Sequence, residues 1–164
     1  MYANSQINKG LLQLYMLLMD EKEITYEAFN DYVETKHSQF SKLINEYKKM
    51  IVKLELNCTL ITEELPREED NYFCGYIYYQ TQLYEDYSFK TDNLNEDDKK
   101  RYIYVLIYLM LKNGQLVSNT KIKERLNIDL SRRTVDRIIN ELKEIVGFDI
   151  IKDELQSYSI KYDI

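Results

Sequence analysis

Apolar side chains recur at three- and four-residue intervals near the end of the chain, at Val135, Ile138, Ile139, Leu142 and Ile145. That spacing puts them on one stripe of an α-helix. Arg132, Arg133, Asp136, Arg137 and Asn140 fall on the other side. Ser131 stands where such a helix begins, and a short hydroxyl there satisfies an orphan backbone N–H. Gly147 follows the stripe, at the position where a helix C-terminus favours left-handed dihedrals. Upstream, Ile122 and Leu126 share a face of a shorter helix capped by Ser118 or Asn119, and Asn127-Ile128-Asp129-Leu130 interrupts the pattern. The stretch from Ser118 to Val146 therefore reads as two helices joined by a tight turn.

The rest of the chain reads in the same way. Leu11, Leu14, Tyr15, Leu17 and Leu18 predict a first helix ending near Asp20 to Glu23. Ile24 is a short strand, and Thr25 caps a helix carrying Ala28, Phe29 and Tyr32. Ser38 or Thr35 opens a third helix with Phe40, Leu43, Ile44, Tyr47 and Ile51 on one face. Cys58 to Thr62 and Tyr72 to Tyr79 are expected as strands on either side of an acidic loop, Glu63 to Asn71. Asn95-Glu96-Asp97-Asp98 opens a helix, because acidic residues suit its positive end. That helix is expected to run to Asn113, with Gly114 stopping it. Leu116-Val117 adds a small strand, and Phe148 to Lys152 with Ser157 to Tyr162 closes the chain as a strand pair.

The order of elements repeats. Leu43 to Ile51 aligns with Ile138 to Val146, and Leu14 to Met19 aligns with Leu106 to Leu111. The fold expected is mainly α with small β wings: two tandem winged helix-turn-helix domains, at residues 1–82 and 96–164, with 83–95 as linker.

Thr120-Lys121-Ile122-Lys123-Glu124-Arg125-Leu126 followed by Ser131-Arg132-Arg133-Thr134-Val135-Asp136-Arg137 resembles the DNA-binding region of DeoR-like and WYL-type bacterial transcription regulators. The resemblance covers about Glu96 to Ile164. It implies a winged helix-turn-helix whose second helix enters the major groove. The turn Asn127 to Leu130 departs from the pattern by lacking a glycine and running a residue longer.

Charge sharpens this reading. The net charge is −6, which argues against an indiscriminate nucleic-acid binder, but the distribution is uneven. Residues 1–95 hold 9 Lys/Arg against 16 Asp/Glu, whereas residues 112–143 hold 8 against 4. Basic charge gathers where phosphate contact needs it. The candidate DNA contacts are Thr120, Lys121, Ser131, Arg132, Arg133, Thr134 and Arg137, with Lys152 and Ser157 beside the wing turn. Ser131 and the backbone N–H groups after it would hold phosphate. Arg132, Arg133 and Arg137 would meet guanine edges or phosphates. The corresponding set in the first repeat is Lys36, His37, Ser38, Gln39 and Lys42, beside an acidic wing loop that repels phosphate. Tyr72, Phe73, Tyr76, Tyr78 and Tyr79 could stack single-stranded bases, but acidic surroundings favour plain strand and interface packing.

Tyr102 to Leu111 is a run of ten apolar or aromatic residues, more than one helix stripe needs. Leu11, Tyr15, Tyr104, Tyr108 and Leu109 are therefore expected at an interface, within the chain or across a homodimer. No catalytic constellation, cofactor motif, metal-ligand spacing, small-molecule substrate site, signal peptide or membrane span is expected. Cys58 and Cys74, one in each expected strand, are candidate cross-strand neighbours and free thiols of a cytoplasmic protein. The function expected is a double-stranded-DNA-binding transcription regulator. A plasmid or phage replication initiator binding origin repeats, or an acidic phage-type inhibitor with the same fold, are the rivals.

Overall fold

A computed structural model describes residues 5–21, 23–32, 37–56, 58–66, 73–80 and 87–161. The chain is mainly helical with two small antiparallel sheets. It divides into two units: Lys9–Asp86, and Met1–Asn8 together with Tyr87–Ile164.

The first unit holds α1 (Ser5–Glu21) from Lys9 onward, then β1 (Glu23–Thr25), α2 (Tyr26–Tyr32), α3 (His37–Lys53), β2 (Leu60–Pro66) and β3 (Phe73–Gln80). Thr25 caps α2 as expected, its Oγ1 accepting from the Ala28 N–H at 3.1 Å. The stripe Phe40, Leu43, Ile44, Tyr47 and Ile51 is buried, as is Met50. Phe40 meets the Phe29 ring at 5.1 Å and the Tyr26 ring at 5.5 Å. Gly10 of α1 lies against Leu43 of α3: a Cβ there would stand 3.1 Å from a leucine methyl, so α1 approaches α3 where only hydrogen intervenes.

The sheet order is β1-β3-β2. β2 reaches Pro66, which takes Glu63 to Pro66 out of the expected loop. Proline is tolerated at a strand end because no ladder donor is needed there, and the register slips between Leu65 and Pro66. Residues 67–72, with the rest of that loop and Tyr72, lie outside the described residues, as do the side chains of β3. The register also separates the cysteines. Cys74 falls opposite the Leu65–Pro66 irregularity, while Cys58 precedes the other end of the ladder, where Leu60 pairs with Gln80. They are not cross-strand neighbours. Cys58 is a free thiol, raised to about 11 by burial.

The second unit runs α4 (Glu96–Arg101), α5 (Ile103–Lys112), α6 (Asn119–Leu126), α7 (Arg132–Ile145), β4 (Ile150–Lys152) and β5 (Tyr158–Ile160). Asn95 and Asp98 form a reciprocal capping box at the start of α4. The single helix expected from Asn95 to Asn113 is broken at Tyr102, whose backbone leaves helical geometry at φ −104° and ψ 10°. Gly114 ends α5 with φ 77°, a left-handed conformation that suits glycine. Val117 pairs with Tyr158 in an isolated antiparallel bridge, so it borders β5 just as β1 borders β3.

Two further expectations change. Residues 87–95 are no linker: Phe89 and Leu94 are buried, and the Asn113 side chain donates to the Tyr87 carbonyl at 2.7 Å. The Arg125 guanidinium lies over the Phe89 ring and donates to its carbonyl at 2.9 Å. Residues 81–86 lie outside the described residues. Gly147 is not left-handed; α7 ends in extended backbone at Val146, φ −81° and ψ 150°. Asn127 supplies the left-handed turn instead, at φ 55°, closing α6 and doing the work of the missing glycine.

All residues from Tyr102 to Leu111 are buried within the single chain, as are Leu11 and Tyr15. Among the described residues no helix is long and apolar enough to cross a membrane.

Asn127 provides a direct check on the turn. A left-handed conformation costs an ordinary side chain roughly 1–2 kcal/mol. Asn127→Ala is expected to lower unfolding free energy by about 1 kcal/mol, and Asn127→Gly to leave it unchanged or raise it. Urea unfolding of the two variants measures this; equal stability would place the turn in another conformation.

Candidate nucleic-acid interface

Burial of Val135, Ile138, Ile139 and Leu142 fixes which side of α7 faces out. Arg132, Arg133, Arg137 and Asn140 are exposed on that side. Arg133, Arg137 and Asn140 follow one another at helical spacing and form a single ridge. Ser131 is spent on capping: its Oγ accepts from the Thr134 N–H at 3.1 Å and donates to the Thr134 hydroxyl at 2.9 Å. Thr134 is half-buried and shares that arrangement.

The first turn of α7 holds no acidic residue and two arginines. A helix N-terminus already carries partial positive charge, so cations there are disfavoured by about 0.3–1 kcal/mol each, whereas an anion is welcomed. Among the described residues neither Arg132 nor Arg133 has an ion-pair partner within 4.0 Å. By contrast α4 opens with Glu96, Asp97 and Asp98, the arrangement the dipole favours.

Several other cations of this unit are already engaged. Lys123 pairs with Asp129 at 3.2 Å, Lys121 with Glu124 at 3.6 Å, and Arg137 with Glu141 at 3.7 Å. Lys112 lies over the Tyr87 and Phe148 rings. Thr120 and Lys121 are exposed on α6. Lys121 also borders an open cavity of about 410 Å³ lined by Met110, Gln115, Leu116, Glu124 and Arg125.

The closing strand pair is tied to α7 by one carboxylate oxygen. Asp136 Oδ1 accepts from the Tyr158 hydroxyl at 2.6 Å and from Lys152 Nζ at 3.3 Å. The Tyr158 hydrogen bond, with Lys152 beside it, holds the Asp136 carboxyl below the usual range. Burial, with Asp136 adding to it, pushes the Tyr158 hydroxyl up to about 12. Lys152 is exposed, but its ammonium is held by Asp136 and lies over the Tyr158 ring rather than projecting freely. Ser157 is buried, and its N–H donates to Asp153 Oδ1 at 2.9 Å, so it shapes the turn and does not face a ligand. The exposed tip of that turn is Asp153, Glu154, Leu155 and Gln156. The sequence carried no local sign of the Asp136 contact, because its partners lie 16 and 22 residues away.

In the first unit, Lys36 lies outside the described residues, as do the side chains of His37 and Ser38. Gln39 and Lys42 are exposed, in line with Asn45 and Lys49 on α3. That face is polar and basic although the unit is acidic. Burial along α3 and α7 also runs in step: Leu43, Ile44, Tyr47 and Ile51 match Ile138, Ile139, Leu142 and Val146. Ile44-Asn45-Glu46 recurs unchanged as Ile139-Asn140-Glu141. Among the described residues no group of three or more His, Cys, Asp or Glu side chains is placed to hold a metal ion.

No protein-family model, curated protein or solved structure matches this chain.

The Asp136–Tyr158 contact links stability to pH in a defined sense. Tyr158 has a folded-state pKa above its unfolded value of about 10, so its contribution is complete below pH 10 and declines as pH rises towards about 12. Asp136 is depressed, so its contribution is present above about pH 3.9 and is lost as pH falls through the lower folded value. Tyr158→Phe is expected to flatten both limbs. Thermal unfolding followed across pH tests this; an alkaline limb as steep as that of the wild type would refute the contact.

Proposed function

We propose that this chain is a sequence-specific double-stranded-DNA-binding transcription regulator of the cytoplasm, built from two tandem winged helices. The observation that carries the reading is the exposed Arg132–Arg133 pair in the first turn of α7, set against the helix dipole, with no ion-pair partner within 4.0 Å among the described residues and only the nearby Asp136 charge acting on Arg132. Natural sequences break local rules of this kind mostly at functional sites. A backbone phosphate relieves the conflict, and the ridge Arg133, Arg137 and Asn140 then meets base edges in the major groove. The sequence resemblance to DeoR-like and WYL-type DNA-binding regions points the same way.

The tandem winged-helix assignment is supported by the element order. Each unit opens with helix (α1 in one, α4 and α5 in succession in the other), then has a short extended segment, two helices and a strand pair, with the short segment bordering the last strand: β1 against β3, Val117 against Tyr158. On this reading α3 is a second groove-facing helix, offering Gln39, Lys42, Asn45 and Lys49. Two such helices in one chain also suit a replication initiator that binds directly repeated origin sites. The basic ridge of α7 weighs against an acidic inhibitor that merely uses the fold. A homodimer stays in the proposal on the symmetry of palindromic sites.

Footprinting on the surrounding genome distinguishes promoter sites from repeated origin sites. Arg133→Ala is expected to weaken operator binding by about 1–3 kcal/mol if that arginine reads a base. The Arg132→Ala/Arg133→Ala double variant should lower the slope of log K against log salt by about 2. Operator affinity equal to wild type in the double variant would remove α7 from the interface.

A further inference from the structure

Arg137 differs from the two arginines before it. Its guanidinium lies 3.7 Å from Glu141 Oε1, one turn along α7. An exposed pair of this spacing contributes only about 0.3–0.5 kcal/mol and dissolves readily, because both side chains are free to move. Glu141 is not free. Its other oxygen, Oε2, accepts a hydrogen bond from the Tyr104 hydroxyl. Tyr104 belongs to α5 and is buried, so its ring is fixed and the carboxylate above it gives up most of its rotamer freedom when the protein folds. Burial and the Glu141 carboxylate raise the Tyr104 hydroxyl above its ordinary range, which keeps it a donor. Arg137 therefore faces a fixed counter-charge before any ligand arrives.

We propose that Glu141, held by Tyr104, is a positioning residue that restrains Arg137 and suppresses indiscriminate contact with anions. This rests on α7 facing DNA. A lone phosphate oxygen offers Arg137 little beyond what Glu141 already supplies. A guanine edge offers two acceptors to the guanidinium fork, and Arg137 has donors enough to meet them and keep Glu141. The carboxylate thus lowers affinity for random duplex more than for the specific site. It is a discriminating element that works by taxing the wrong complex.

The experiment uses the full chain as wild type, Glu141→Gln, Arg137→Ala, the double variant and Tyr104→Phe. Random-sequence duplex binding is read by fluorescence anisotropy across a salt series. Glu141→Gln should tighten random-duplex binding severalfold and steepen the salt slope by about 1, the signature of one added phosphate contact. Tyr104→Phe should act in the same direction to a smaller extent. In the Arg137→Ala background the Glu141→Gln effect should disappear. Unchanged or weaker random-duplex binding by Glu141→Gln would overturn the proposal. So would an equal gain in the Arg137→Ala background, which would reduce Glu141 to a general charge effect. Absence of duplex binding by every variant would refute the DNA reading itself. In that event rotation of the Arg137 guanidinium, followed by NMR without DNA, still decides the restraint. Slow rotation in wild type and fast rotation in Glu141→Gln supports it, and equal rates refute it.

Discussion

With Val135, Ile138, Ile139 and Leu142 all buried, α7 has no freedom to turn about its own axis, and every property of its outer face follows from that. Burying one such side chain is worth roughly 1.5–3 kcal/mol, so rotating the stripe into water would cost more than a domain of this size can spare. Arg132, Arg133, Arg137 and Asn140 face out because the opposite side cannot. The same constraint aims Asp136 at the closing strands and Glu141 at Tyr104. The helix is thus held by apolar contact and trimmed by two carboxylates, each fixed to a tyrosine of another element.

Local chemistry was legible where it depends on neighbours in the chain. Ser118, Ser131 and Thr25 cap the helices that their spacing announced, and Asn95 with Asp98 opens α4. The apolar stripes of α3 and α7 were visible because helical periodicity is a short-range signal. Strand ends were less clear, since β2 absorbs Glu63 and Glu64, residues whose charge reads as loop. What escaped were contacts between residues far apart in sequence. The polar stretch at 87–95 looks like a linker, yet Phe89 and Leu94 anchor it, and Arg125 reaches its backbone from 36 residues away. Asn127 was passed over because a left-handed asparagine is rarer than a left-handed glycine, although its short polar side chain tolerates that conformation.

The site divides along the same line. Arg132 and Arg133 were visible as charge, and the structure adds that neither has an internal ion pair among the described residues. Lys152 and Ser157 were equally visible as polar wing residues, but one is bound to Asp136 and the other is buried in the turn. Polarity alone does not tell an available group from a committed one. The eight cations counted over residues 112–143 overstate the free positive surface for the same reason, because Glu124, Asp129 and Glu141 each hold one of them.

The closing strands are only three residues long, too short to hold a stable ribbon by their ladder alone. Their attachment to α7 converges on Asp136, where one oxygen meets both a hydroxyl from β5 and an ammonium from β4. The strand pair is therefore pinned at two places, to α7 at Asp136 and to Val117 through the Tyr158 backbone. Both attachments lie on the strands, so the tip, where Leu155 stands 84% exposed, overhangs them like the free end of a bracket.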